Sequence, residues 1–230
     1  MRLGRLLRFT GYALAAFVAI KGIALGVHAY KVAGAPKADL DDIKTIAKAM
    51  SAYRDKHGKL PPAVLYDPAS EVGHSWRVAL LPELGYQMLY DEYNRNEPWD
   101  SDHNRQVLAR MPDVYRSSMS PSDSTVAAYF VMVGPTTAFA TSDGLSDPEI
   151  TDGWDSLVTV VSARRDIPWT KPADIEFDDV APLPELGGFH EGVFHMATAS
   201  GDGRAVSLKV GATLLKQMIN SCDGLPSSCF

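Results

Sequence analysis

The stretch Asp39–His57, DLDDIKTIAKAMSAYRDKH, carries the clearest helical pattern in the chain. Leu40, Ile43, Ile46, Met50 and Tyr53 recur at steps of three and four, which places them on one face of a helix. Asp39, Asp41 and Asp42 load the first turn, and Arg54, Lys56 and His57 load the last, so both ends complement the helix dipole. Gly58 follows as a C-terminal cap, and Pro61-Pro62 stops the helix from resuming. A helix with one apolar stripe must bury it against another layer.

That layer is expected downstream. Thr125–Val133, TVAAYFVMV, is rich in β-branched and aromatic residues and reads as a strand ending at Gly134-Pro135. Ser156–Ser162 reads as a second strand. Phe194–Ala199 and Arg204–Val210 flank Ser200-Gly201-Asp202-Gly203 as a β-hairpin, and Ala212–Asn220 as a short terminal helix. Asp143-Gly144 and Asp152-Gly153 are turn signals, and Ile167–Gly188, rich in Pro and acid, reads as irregular. Strands following helices without βαβ alternation predict an α+β domain, an amphipathic helix packed on an antiparallel sheet.

Between helix and sheet lies Ser75–Asn104, SWRVALLPELGYQMLYDEYNRNEPWDSDHN, too apolar for a surface loop. Pro82 and Pro98 rule out one continuous helix. A short turn is expected from His74 to Leu81. A helix from Glu83 to Tyr93 would put Leu84, Met88, Leu89 and Tyr93 on one side.

Upstream, Arg2, Arg5 and Arg8 precede an apolar run from Phe9 to Ala33, long enough for a hydrocarbon core that needs about 20 residues. Lys21 interrupts it at a cost of about 3 kcal/mol, which the surrounding apolar residues offset. The arginines predict a cytoplasmic N-terminus and an exported body. Val27-His28-Ala29 has a small-x-small cleavage pattern, but the apolar run continues past it, which favours an uncleaved anchor. The domain plan is thus 1–8 basic and cytoplasmic, 9–33 transmembrane, 34–38 linker and 39–230 exported, a single-pass protein of the cytoplasmic membrane. The net charge of −6 hides an asymmetry: residues 1–37 hold six Lys or Arg and no acid, leaving sixteen bases against twenty-eight acids in the body. An acidic body argues against a nucleic-acid partner.

Several short motifs, in order over roughly residues 40–210, resemble the bacterial DUF1559 proteins, which are pseudopilin-like and related to type II secretion and type IV pilins. They are Tyr53 with His57-Gly58 and Leu60-Pro61-Pro62-Ala63, then Ser75-Trp76-Arg77-Val78, Leu80-Leu81-Pro82, Leu89-Tyr90, Glu97-Pro98-Trp99-Asp100 and His103-Asn104. Ser120-Pro121-Ser122-Asp123, Ile150-Thr151-Asp152-Gly153, and Pro168-Trp169-Thr170-Lys171-Pro172 with Asp174 follow. The resemblance implies a pilin-like fold and a non-enzymatic envelope protein that works by protein–protein contact with other pilin-like subunits or secretion components. The chain departs from the family pattern in places. Arg8 stands where the prepilin glycine precedes Phe9-Thr10, and Ala13 replaces the expected glutamate. Eleven residues, where the family has nine, separate His190 from Asp202-Gly203.

No catalytic or cofactor-binding residue is expected. His190-Glu191-Gly192-Val193-Phe194-His195 spaces its histidines at i and i+5, about 140° apart on a helix and on opposite faces of a strand. That spacing argues against zinc, and the two read as loop and strand-edge histidines. Asp143, Asp147, Glu149, Asp152 and Asp155 are weak calcium candidates, out of register with an EF-hand loop. Cys222 and Cys229 would close a short disulfide loop in an oxidising compartment. The alternative function is an anchored module binding glycan or calcium, with Trp76, Tyr86, Tyr90, Tyr93 and Trp99 lining a groove. An exported hydrolase, using Ser75 or Ser200, is more remote because no nucleophile elbow is present.

Overall fold

A computed structural model describes residues 37–66, 71–140, 144–146, 153–155 and 157–220. The expected long helix, α1, spans Lys37–His57. Ile43, Ile46 and Met50 of its stripe are buried, and Leu40 and Tyr53 pack against the core from its margin. Each buried Ile stabilises by about 1.5–3 kcal/mol over an exposed one. Gly58 ends the helix, its N–H donating to Arg54 O at 2.7 Å.

The stripe lies on a four-stranded sheet. Apart from a separate short pair, β1 (Val64–Tyr66) and β2 (Gly73–Ser75), its strands are β3 (Tyr129–Phe130), β5 (Val158–Ser162), β7 (Val193–Thr198) and β8 (Gly203–Ser207), in the order β3-β5-β7-β8. All pairings are antiparallel, and the expected hairpin pairs Val193 with Ser207 and Ala197 with Gly203. Helix α1 touches β5, β7 and β8. Every residue of β7, the central strand under the helix, is buried. The terminal helix is found at Ala212–Ile219 and touches β5. Among the described residues, no helix is long and apolar enough to cross a membrane. The anchor expected at 9–33 lies outside the described residues.

Three expectations need correction. Thr125–Val133 is not one strand. Tyr129–Phe130 joins the main sheet, whereas β4 (Met132–Val133) leaves it to pair in parallel with β6 (Ile175–Glu176). Ile167–Gly188 therefore contains a short strand. The helix expected at Glu83–Tyr93 begins only at Gln87, because Gly85 has φ +84°, a left-handed turn that a helix cannot contain. Met88 is 79 % exposed, while Leu89 and Tyr93 are buried.

The sheet change at Val131 is held by a buried polar knot. Ser75 caps a four-residue helix, α2 (Trp76–Ala79), its Oγ accepting from Arg77 N. The turn aims Arg77 into the core, where its side chain and that of Asp174 are 0 % and 2 % exposed. Arg77 Nη2 donates to Asp174 Oδ1 at 2.8 Å and to Tyr129 O at 2.7 Å. Its Nε also donates to Tyr129 O, and its Nη1 to Ser75 Oγ at 3.0 Å. Asp174 accepts from Val131 N at 3.0 Å and from the Trp76 indole at 3.1 Å. Two backbone groups flanking the switch thus find side-chain partners, as buried backbone groups must. Burial pushes the Asp174 carboxyl above its ordinary value, against the opposing pull of Arg77, Trp76 and Val131.

Candidate functional site

Asp39 lies in the first turn of α1 and is 1 % exposed, although its neighbour Asp41 faces solvent. Its Oδ1 accepts from Ser118 N at 2.7 Å, and its Oδ2 from Ser117 Oγ at 2.6 Å. The serines follow the 3-10 turn Asp113–Tyr115, which packs on α1. Oδ2 also accepts from His190 Nε2 at 2.9 Å. Burial alone would raise the Asp39 pKa, but the hydrogen bonds from Ser117, Ser118 and His190 outweigh it and hold the carboxyl below its ordinary value.

His190 reaches Asp39 because the chain reverses just before β7. His190 bridges Val193 across Glu191-Gly192, and Gly192 supplies φ +71° for the tight turn. The reversal sets the His190 ring edge-on to that of His195, with centroids 5.5 Å apart. One acceptor atom from each of Asp39, His190 and His195 falls within 4.8 Å of the others. A continuous helix or strand through both histidines would hold them apart, and the turn at Glu191-Gly192 breaks that continuity. His190 is indeed on a loop. His195 is not at a strand edge, for it sits in the interior of β7 with strands on both sides.

His195 is 0 % exposed, and among the described residues neither ring nitrogen has a hydrogen-bond partner. Each such orphan costs about 1–3 kcal/mol. Burial depresses its pKa, with His190 adding to that effect and Asp39 opposing it. His74 makes the contrast. It is also buried, at 3 %, yet its Nε2 lies 2.7 Å from Arg95 O and its Nδ1 3.0 Å from Tyr93 Oη. Two imidazoles and a carboxylate form a nitrogen and oxygen donor set suited to first-row transition metals rather than to calcium.

The other candidates are not gathered. Of the calcium candidates only Asp155 is described, and it is exposed; Asp143, Asp147, Glu149 and Asp152 lie outside the described residues. So do Cys222 and Cys229. The aromatic residues do not line one groove. Trp76 and Tyr93 are core, Trp76 packing edge-on against Tyr115, which in turn stacks on Trp169. Tyr86 is 39 % exposed, and Trp99 is half-buried beneath Lys171. Ser75 is buried and its Oγ accepts from Arg77, whereas Ser200 Oγ meets Thr198 Oγ1 at 3.0 Å. A surface groove of about 480 Å³ lies along Asp91–Asn96 and His103. Beside it Asn104, buried, accepts from Asn94 N and donates to the carbonyls of Asn94 and Pro98, which shapes the Asn94–Asn104 loop.

Sequence reasoning missed Asp39 as a site residue, because an acid in a first helical turn is accounted for by the dipole. Glu191-Gly192 was the signal for a reversal that would free His190 from the strand. The family described as "Protein of unknown function (DUF1559)" matches residues 41–156. No curated protein and no solved structure matches the chain. All three residues of the Asp39 cluster lie outside the matched range.

Proposed function

Taking as premise that the chain belongs to the DUF1559 family, we propose that it is a non-enzymatic, membrane-anchored envelope protein of pseudopilin-like type that acts through protein–protein contact. The observation that carries this reading is the pairing of α1 with the antiparallel sheet, directly after an apolar, arginine-led segment. An N-terminal apolar run leading into an amphipathic helix delivers the body to one side of a membrane and holds it there. The partners this reading favours are other pilin-like subunits or secretion components. Arg8 and Ala13, which depart from the prepilin pattern, favour a subunit that keeps its anchor over one released for filament assembly.

The exposed apolar side chains offer contact points, and Met88 is the most exposed of those on a helix. A photocrosslinking residue at Met88, in the full chain expressed in its native host, tests the reading together with membrane fractionation. The expected result is recovery in the membrane fraction and a discrete crosslinked partner. Recovery as a soluble cytosolic monomer that crosslinks to nothing would overturn it.

A further inference from the structure

Asp39, His190 and His195 come from three different elements: the first turn of α1, the reversal before β7, and the interior of β7. Nothing in local chain geometry requires them to meet. They meet with donor atoms within 4.8 Å, and His195 brings into a fully buried position two ring nitrogens with no hydrogen-bond partner among the described residues. A buried imidazole without partners is the unusual part. Buried polar side chains are almost always hydrogen-bonded, and an exception calls for an explanation such as an ion.

We propose that Asp39, His190 and His195 form a binding site for a divalent first-row transition metal, zinc above all, that clips the start of α1 to the central strand of the sheet. The donor set fits: imidazole nitrogens and one carboxylate suit zinc and its neighbours, whereas calcium and magnesium take oxygen. The second shell also fits. Ser117 and Ser118 already hold the Asp39 carboxylate, the kind of outer contact that orients a metal ligand. Zinc bonds of about 2.0–2.2 Å bring tetrahedral ligands to roughly 3.3–3.5 Å of one another. His190 Nε2 already lies 2.9 Å from Asp39 Oδ2, and all three ligand atoms lie within 4.8 Å of one another, so small side-chain shifts reach that spacing. On binding, His190 Nε2 exchanges its Asp39 hydrogen bond for the metal. The ring stays neutral, its one proton carried on Nδ1, and Asp39 keeps its two serine donors. His195 supplies one ring nitrogen and gains the partner it lacks. Water takes the fourth position, since three protein ligands leave one open.

This inference stands apart from membrane location, and so does its test. The probes are Co²⁺, read by visible absorption, and Zn²⁺, read by competition and by the unfolding midpoint. The full chain is held in detergent and carries Cys222→Ser and Cys229→Ser, so that terminal thiols take no metal. The expected result is one metal per chain, with d–d bands and no thiolate charge-transfer band. His190→Gln and His195→Gln should each weaken binding by about 100-fold or more, beyond the 10–100-fold cost of losing only an outer-shell partner. Zinc should raise the unfolding midpoint of the unsubstituted site and leave both variants unmoved. If His195→Gln fails to fold, His190→Gln decides, because its side chain lies on a turn, and a native circular dichroism spectrum establishes its fold. Absence of stoichiometric cobalt or zinc binding would overturn the proposal, as would equal binding in His190→Gln.

Discussion

Two buried polar clusters sit in this core, and they are built on opposite terms. Around Arg77 and Asp174 the donors and acceptors close on one another: guanidinium on carboxylate, guanidinium on Tyr129 O, carboxylate on Val131 N and the Trp76 indole. Around Asp39 the closure stops halfway. The carboxylate has three donors, yet the His195 ring beside it has no hydrogen-bond partner among the described residues. A closed cluster fixes a fold. A cluster with a fully buried orphan leaves hydrogen-bonding capacity unused. Burial is the same in both, so it is the bookkeeping of lone pairs and protons that separates scaffold from site.

The sharpest way to break this contrast is to remove Asp174. Asp174→Ala leaves the Arg77 charge buried without its partner and should cost about 3–5 kcal/mol, read by urea unfolding. Replacing the pair together, as Arg77→Met with Asp174→Leu, should recover part of that loss; a double variant as unstable as the single would mean the charges themselves are not the cause. Next in size is Asp39→Ala. It strands Ser117 Oγ, Ser118 N–H and His190, and should cost about 1.5–3 kcal/mol in metal-free protein. His195→Leu should do the reverse. It removes two unpaired nitrogens at nearly constant volume, so metal-free stability should stay within about 1 kcal/mol of the parent or rise. A loss larger than the Asp39→Ala loss would show that the ring has partners after all.

The smallest effect is expected from pH. Asp42 is pushed up to about 7 by burial, with the Asp39, Asp41 and Asp113 carboxylates adding to the shift. Its folded pKa thus exceeds the unfolded value of 3.8. Between these values the folded chain binds more protons than the unfolded chain, so stability falls as pH rises from about 4 to about 7. Asp42→Asn should flatten that slope, with urea midpoints converging on the parent at the acid end. Asp42 is partly exposed, and solvent screening trims the effect. An unchanged slope would place the titration elsewhere.

Much of the frame was legible beforehand. The stripe from Leu40 to Tyr53 announced α1, Gly58 its end, and Ser200–Gly203 the hairpin, because each is a local signal that local physics obeys. The motifs Ser75-Trp76-Arg77 and Asp174 were visible as family marks, but not as partners; they lie 97 residues apart in the chain and meet only after folding. The split of Thr125–Val133 was hidden for a related reason. Tyr129–Phe130 and Met132–Val133 share the same β-prone composition, and what divides them is a distant arginine and aspartate. The meeting of His190 and His195 beside Asp39 was hidden from a spacing rule. A spacing rule presumes regular structure between its residues, and Glu191-Gly192 breaks that regularity.

The sheet change at Val131 has a mechanical consequence. Tyr129 O is gripped by Arg77, Val131 N by Asp174, and Val131 O accepts from Ile175 N. One stretch of three residues is therefore common property of the main sheet, the parallel β4–β6 pair and the α2 turn. None of the three can peel away without pulling on the other two, so force or denaturant applied to any one is shared by all. Slow amide exchange should run through Tyr129–Val133 and Ile175–Phe177 as one block, which then opens in a single step.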